Sequence, residues 1–378
     1  MALMEKSGGI EGFIHFALHQ KAFVSSPRSA LMLSYIIGVV IFIETSITAL
    51  ISGAVGKPFC DKYKIPHAKL AFVCDSTSAP IGSLVIINGY GALLLGLITT
   101  QILGAGLEVN ALELLISSVL YNFYAMSALF VTFIYIWFSL DIGPMKDLIY
   151  QKSENYIQVK KGSMYLMILP ILLMLVLVFI FLYITGDGDI LRGSGSSSIF
   201  YTMISVLAFM LVYYVGRGYM NLKEYTTTSF RGAKKLFNVS MILIFAFAIG
   251  KVTSDLKTGQ YLATLATDNL NVIFLAGMIF LLSSIISFST GTSWGTFSIM
   301  IPVAVPMALA MDANIALVVG AVISGGIFGD HCSPISDTTI ISSMAADCEI
   351  IEHVRTQLPY ALISGAIALS LFLLVSVL

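Results

Sequence analysis

Charge is what this sequence has least of. Its 378 residues carry 20 basic and 21 acidic side chains, 11% of the whole, where an average soluble domain has about 25%. Together with 57% hydrophobic residues and a mean hydropathy of +0.92, that scarcity excludes a soluble globular enzyme, a disordered chain and a fibrous protein. The formal net charge of -1 gives no basic surface for a phosphate backbone, so no nucleic-acid partner is expected. Cysteine is also scarce. Cys60, Cys74, Cys332 and Cys348 show no C-x-x-C spacing and read as reduced, structural thiols rather than a disulfide or metal site. Alternation of period 2 is missing, which argues against an outer-membrane barrel. The N-terminus lacks the uninterrupted apolar run and small-residue cleavage site of a signal peptide. Its weakly apolar 10–18 stretch reads as the tail of a helix whose beginning is absent.

What is there is a series of long uncharged segments. Residues 29–56 hold one charge, Glu44, and 76–107, 114–140, 162–186, 193–216 and 356–378 hold none. Residues 269–311 form the longest such run. A spanning helix needs about 20 apolar residues, so most gaps hold one span and the longest holds two. Leu166–Ile184 is the clearest span, and 236–250 and 313–329 are shorter candidates. The expected fold is all-α: a polytopic integral membrane protein with roughly nine to eleven transmembrane or re-entrant helices. The chain reads as a single transporter domain over 1–378, with approximate halves 1–162 and 163–378.

Basic residues sort by loop. Stretch 57–69 holds Lys57, Lys62, Lys64 and Lys69; 141–162 holds Lys146, Lys152, Lys160 and Lys161; 217–235 holds Arg217, Lys223, Arg231, Lys234 and Lys235. The positive-inside rule places these three in the cytoplasm. The intervening 108–113 and 187–192 carry acids and only Arg192, as outside loops should. Lys21 and Arg28 fall on the wrong side if 29–56 crosses once, and on the right side if that segment is a hairpin.

Four acids lie where lipid should be. Glu44 sits mid-segment, Asp75 heads a long apolar run, and Asp330 and Asp337 flank an irregular stretch between apolar segments. A charge at a helix centre costs about 2.5–3.5 kcal/mol on insertion scales, so these acids must be paired, protonated, solvated or bound to something. Counter-charges are missing. The base nearest Glu44 is Lys57, about 20 Å along a helix; Lys251 stands near an apolar segment in mid-chain and can snorkel outwards; and beside Asp330 there is only His331. Hard oxygen ligands suit a hard cation, and a carboxylate removed from water holds a proton more readily. A site that takes either a cation or a proton is the minimum needed for cation/proton exchange. The bland readings are that Glu44 caps or pairs with a helix, that Asp75 N-caps the next helix beside Ser76 and Thr77, and that His331 is a turn donor. Asn88 and Asn122 read as interhelical hydrogen-bonders.

Helix breaks are the second signal. Thr290-Gly291-Thr292-Ser293-Trp294-Gly295-Thr296 interrupts the longest uncharged run, followed by Pro302 and Pro306. Gly325, Gly326 and Gly329 precede Asp330, as Gly53, Gly56 and Pro58 precede Asp75. Asp75…Ser78…Pro80 and Asp330…Ser333-Pro334 form a faint repeat, and interrupted segments in two halves point to a transporter's midplane site. Gly291-Thr292-Ser293-Trp294-Gly295 also fits G-x-S-x-G, which with His331 and an aspartate would sketch an intramembrane serine hydrolase. That reading needs a strand-turn-helix context.

Several motifs carry a resemblance. Ile43-Glu44-Thr45-Ser46, Asp61-Lys62-Tyr63-Lys64-Ile65, Asp75-Ser76-Thr77-Ser78-Ala79-Pro80, Gly291-Thr292-Ser293-Trp294-Gly295-Thr296, Gly329-Asp330-His331-Cys332-Ser333-Pro334-Ile335-Ser336-Asp337-Thr338-Thr339 and His353-Val354-Arg355-Thr356-Gln357-Leu358-Pro359-Tyr360 resemble the NhaC family of Na⁺/H⁺ antiporters over nearly the whole chain. The resemblance implies a non-enzymatic secondary transporter of the bacterial inner membrane, with inverted repeats and re-entrant hairpins. It implies Na⁺/H⁺ exchange, or Na⁺/H⁺-coupled exchange of an organic acid or amino acid. Family members begin with helices that precede the stretch matched here, so the first N-terminal helices are expected to be missing and the N-terminal repeat incomplete. Many relatives carry two aspartates where this chain has Glu44-Thr45. The candidate cation/proton site is Asp330 and Asp337, with Na⁺ at that pair, then Asp75 and Glu44. Ser333, Thr338, Ser76, Thr77, Thr292, Ser293 and His331 are supporting polar or helix-break residues. The expected partners are a monovalent cation, the proton, membrane lipid and a second copy in a homodimer; no cofactor is called for.

Overall fold

The computed structural model describes residues 2–19, 24–42, 44–107, 109–150, 162–188, 193–235 and 271–378, with scattered positions between 236 and 270. The candidate span 236–250 lies largely outside the described residues, and Lys21, Lys152, Lys160, Lys161, Arg192 and Lys251 lie wholly outside them. The chain divides into two compact units, Met1–Phe23 with Tyr156–Ile242, and Val24–Asn155 with Leu243–Leu378.

The first unit holds α1 (Ala2–Lys6), α2 (Gly9–His19), α9 (Tyr165–Thr185), α10 (Gly195–Gly216) and α11 (Leu222–Lys235). α9 and α10 are each long and apolar enough to cross a membrane, where a helix is favoured because it satisfies its own backbone. They run antiparallel. The Tyr214 hydroxyl donates to the Leu166 carbonyl near one end, and the Thr185 and Ser198 hydroxyls share a hydrogen bond of 2.9 Å near the other. The basic stretch 217–235 is not an irregular loop. α11 fills most of it, started by a reciprocal cap in which the Glu224 amide donates to Asn221 Oδ1 at 2.8 Å and the Asn221 amide to Glu224 Oε2 at 3.0 Å.

The second unit holds α3 (Pro27–Val40), α4 (Thr45–Tyr63), α5 (His67–Leu84), α6 (Gly89–Gly104), α7 (Ala111–Leu120), α8 (Phe123–Phe138), α12 (Leu275–Thr290), α13 (Ser293–Ala310), α14 (Ile315–Cys332), α15 (Asp337–Ala346) and α16 (Ile350–Val375). Among the described residues 7 helical segments in the two units qualify as spans by length and composition, or 8 with α5 and α6, which bend by 43° at their break, counted as one. α3 is a shorter apolar helix. No strand occurs among the described residues.

Register shows how the second unit is wound. The Ser34 and Ser52 side chains each donate to the other's backbone carbonyl, at 3.3 and 2.8 Å, and the Tyr63 hydroxyl reaches the Val24 carbonyl at 2.9 Å. α3 and α4 are therefore an antiparallel hairpin. Arg28 thus lies at the same end as Lys64 and Lys69, as the positive-inside rule asks. α12 and α13 repeat the device. Phe280 and Ser287 of α12 lie against Gly325 and Gly329 of α14, while Phe297 of α13 lies against Gly326 and Gly291 against Ile335. α12 thus runs along α14, α13 runs back, and the tip falls at 291–292. Each tip meets a broken helix. Asn88 Nδ2 between α5 and α6 donates to the Phe42 carbonyl at 3.0 Å; Ser333 Oγ between α14 and α15 donates to the Phe288 carbonyl at 2.8 Å. The second piece of each broken helix crosses to the other hairpin, α6 onto α13 and α15 onto α4.

The repeat expected from sequence is present, but its alignment differs. Asp75 sits in the middle of α5, well before the break at 85–88, whereas Asp330 sits in the last turn of α14. They are not equivalent positions. The glycines read as breaks are packing surfaces instead. Gly53 and Gly56 lie inside α4, and Gly325, Gly326 and Gly329 inside α14, because small residues let helices approach closely where lipid supplies no hydrophobic drive. Pro58, Pro302 and Pro306 likewise lie within helices. A Cβ on Gly329 would stand 2.2 Å from the Ser284 carbonyl oxygen. Gly329→Val is expected to lower stability by about 3 kcal/mol or more, the upper range of core overpacking. Gly216→Ala, which meets nothing within 4 Å, should change it by less than about 0.5 kcal/mol. Thermal unfolding in detergent compares the two.

Candidate functional site

The site forms where α5, α14, α15 and α16 meet. Asp75 is fully buried in mid-helix, so it does not cap the next helix. Pro80 follows at i+5, and because proline has no N–H the Ser76 carbonyl loses its ordinary helical donor. Asp75 Oδ2 accepts from Gln357 Nε2 at 2.7 Å and from Thr339 Oγ1 at 3.2 Å, and lies 3.3 Å from His353 Nε2. Its Oδ1 accepts from Ser342 at 3.4 Å. Asp330, also fully buried, accepts from Thr338 Oγ1 at 2.9 Å through Oδ2. Thr338 and Thr339 are consecutive in the first turn of α15. One residue step therefore separates the donors of the two carboxylates. Gln357 ties them further, since its amide also donates to the His331 carbonyl at 2.8 Å.

Four buried polar atoms around these acids have no protein partner: Asp330 Oδ1, His331 Nε2, His353 Nδ1 and Gln357 Oε1. A buried polar group without a hydrogen bond costs about 1–3 kcal/mol, so this concentration makes the cluster the candidate site. The oxygens suit a hard monovalent cation. The ring nitrogens suit a proton.

The other expected site residues divide. Asp337 opens α15 but is exposed, and its Oδ1 accepts from the Thr338 amide at 2.9 Å. Glu44 is half-buried at the first hairpin tip, where its carboxylate caps α4 through the amides of Ser46 at 3.2 Å and Ile47 at 2.7 Å. Ser333 ties the break to α12, as noted above. Ser76 is buried beside Asp75. Thr77 is structural: its hydroxyl bonds back to the Val73 carbonyl at 2.8 Å and packs on Gly38. His331 Nδ1 lies 3.1 Å from the Tyr124 hydroxyl. Thr292 N-caps α13, and Ser293 Oγ pairs with the Tyr90 hydroxyl at 2.8 Å. The G-x-S-x-G stretch is therefore a helix-to-helix tip, with Gly291 in the left-handed conformation at φ 66 and no strand before it, so the nucleophile-elbow context is not met. Asn122 cross-links three helices, donating to Ser83 at 2.8 Å and accepting from Ser324 at 3.0 Å.

His353, Gln357, Thr339 and Ser342 were not among the expected site residues. A signal for the first two existed. His353 and Gln357 are four apart, so they share one face of a helix, and that face is polar at the start of an otherwise apolar span. Likewise, the base missing beside the acids is supplied by His353, distant in sequence.

The fold and this buried acid-imidazole-amide cluster define a polytopic membrane carrier. The family described as "Na+/H+ antiporter family" matches residues 87–377. An uncharacterized protein of Haemophilus influenzae is 33% identical over 95% of this chain and 73% of its own length. The malate-2H(+)/Na(+)-lactate antiporter of Bacillus subtilis is 31% identical over 35% of this chain and 29% of its own. The Na(+)/H(+) antiporter NhaC of Alkalihalophilus pseudofirmus is 32% identical over 25% and 21%. Among solved structures, the YdaH transporter of Alcanivorax borkumensis shares the fold, with a TM-score of 0.67 over 99% of this chain and 82% of that one at 14% identity. The chain belongs to the Na⁺/H⁺ antiporter family and is a multi-pass membrane antiporter.

Proposed function

We propose that Na⁺ and protons compete for the cluster of Asp75, Asp330, His353 and Gln357, and that this competition is the exchange step of Na⁺/H⁺ antiport across the bacterial cytoplasmic membrane. The observation that carries the reading is the group of four unpartnered buried atoms around two fully buried carboxylates. Asp330 Oδ1 and Gln357 Oε1 offer oxygens to Na⁺. With Asp75 ionised, His353 Nε2 keeps its hydrogen towards Asp75, which leaves Nδ1 as the proton acceptor. Protonation of His353 and of Asp330 removes negative charge from the cluster and releases Na⁺. Opposite hairpin tips on the two broken helices supply two routes to one site, as alternating access requires. The chain acts in this scheme as a single transporter domain, in a lipid bilayer and as a homodimer.

A second reading is Na⁺/H⁺-coupled exchange of an organic acid. It is favoured by the two free imidazole nitrogens, which could donate to a substrate carboxylate once protonated, and by the name of the Bacillus relative. The test is proton movement in everted vesicles followed with a pH-sensitive dye. Na⁺, Li⁺ and K⁺ are added in turn, then malate or lactate with Na⁺. Na⁺ alone should collapse the acid-inside gradient with the parent protein and fail with Asp330→Asn. Full exchange by Asp330→Asn would remove Asp330 from the site. Collapse only when an organic acid is present would transfer the function to the second reading.

A further inference from the structure

A cavity of about 250 Å³, lined by none of the residues of the proposed Na⁺ and proton cluster, lies between the start of α3, the α4–α5 turn and the end of α8. Its floor is apolar, including Leu31 and Ile136, and its rim carries Arg28, Lys64, Lys69 and Asp141. Lys69 is neutralised by Asp141 at 2.6 Å. Among the described residues Arg28 makes one side-chain hydrogen bond, Nε donating to Ser139 at 3.2 Å, and it is exposed. Lys64 is exposed in the left-handed turn at φ 54 and has no side-chain partner among the described residues. The cavity thus presents two uncompensated cations over an apolar floor.

Its position matters. The flanking end of α8 exposes Phe133, Trp137 and Phe138, the aromatic signature of a membrane–water interface. The α4–α5 turn belongs to the basic side of the protein, which faces the anionic cytoplasmic leaflet. The volume is below the about 300–1,000 Å³ of pockets that enclose a whole drug-sized molecule, and it suits a headgroup whose acyl chains stay in the bilayer.

We propose that this cavity is a phosphate site at the membrane interface, filled by the headgroup of an anionic phospholipid. Arg28 supplies the planar fork that matches phosphate oxygens, Lys64 supplies a second charge, and Leu31 and Ile136 meet the glycerol end. The site is separate from the acids that carry Na⁺ and protons.

Native mass spectrometry of the full chain in detergent, with phosphatidylglycerol and phosphatidylcholine added in equal amounts, tests the proposal. The parent should retain phosphatidylglycerol roughly thirtyfold better, as two interfacial cations at about 1 kcal/mol each imply. Arg28→Gln with Lys64→Gln should bring the two lipids near parity. Both side chains are exposed, so the double variant should unfold at the parent's temperature. No preference in the parent, or a preference kept by the double variant, overturns the site. A parallel melt with inorganic phosphate separates the sources. Stabilisation by phosphate that needs Arg28 and Lys64, without any lipid preference, would assign the site to the free ion and overturn the lipid headgroup.

Discussion

Asp75→Asn is expected to cut Na⁺-driven proton movement by roughly a hundredfold or more, the range a positioned proton-transfer group contributes, while the protein still folds and inserts. The substitution removes the charge that holds His353 in place but keeps shape. The amide oxygen of an asparagine can accept from Gln357 Nε2, now at 2.7 Å from Asp75. The same oxygen can accept from Thr339, and the NH₂ on the other side can face Ser342, whose hydroxyl rotates to accept. What cannot be kept is the ionised partner that holds the Nε2 hydrogen of His353. His353→Gln should therefore lose exchange as well, and the double variant should be little worse than either single one, because the two residues act as a unit. Independent, multiplying losses in the vesicle assay would show that His353 does not work through Asp75. A large fall in melting temperature for Asp75→Asn would make the carboxylate structural.

The second large effect concerns stability. Lys57 of α4 is buried, not part of a loop, and its ammonium pairs with Asp347 at 3.1 Å. Asp347 occupies the left-handed turn between α15 and α16, at φ 61. Its carbonyl lies 3.2 Å from His67 Nδ1, whose Nε2 lies 3.1 Å from Asp61, and Asp61 in turn accepts from Tyr150 at 2.9 Å. The network ties α4, α5 and the α15–α16 turn. Asp347→Asn keeps a residue type tolerant of the left-handed region but removes the carboxylate paired with the buried Lys57 ammonium. Removing one partner of a buried pair costs about 3–5 kcal/mol; with the Asp347 side chain 28% exposed, about 2–3 kcal/mol is expected. Lys57→Met added to Asp347→Asn should recover most of the loss in a detergent melt. No recovery would show that Asp347 stabilises by means other than this charge pair.

Both predictions rest on contacts between residues far apart in the chain, and that marks the limit of what could be read without the fold. The uncharged segments predicted membrane helices correctly at α9, α10, α12, α13 and α16, because in lipid an apolar run of spanning length has few alternatives to a helix. They could not tell a crossing from a hairpin at 29–56. Composition is the same for both; only the Ser34–Ser52 and Tyr63–Val24 contacts distinguish them. Glycine and proline guided only in part: Gly291 and Pro334 lie at breaks, whereas Gly53, Gly56, Pro58, Pro302 and Pro306 lie within helices. In a bilayer a proline's lost hydrogen bond is tolerated within packed helices, and glycine serves close approach as often as unwinding. Asn88, Asn122 and Thr292 cap the helices that follow three of the breaks, their side chains accepting from those helices' amides, while Ser336 before α15 makes no side-chain cap.

The sequence by itself determined the class of protein. Scarce charge and long apolar runs admit only a helical membrane chain, and carboxylates within them are costly enough to single out candidate functional residues. Tertiary structure decided which carboxylates share a site and with what. Asp75 and Asp330 come together only because α15 crosses back onto α4 and α5. His353 and Gln357 reach them only because α16 packs beside α14. Hydrogen bonds act over about 3 Å and carry no trace of chain distance, so the partners of a buried acid are set by helix packing and not by sequence neighbourhood.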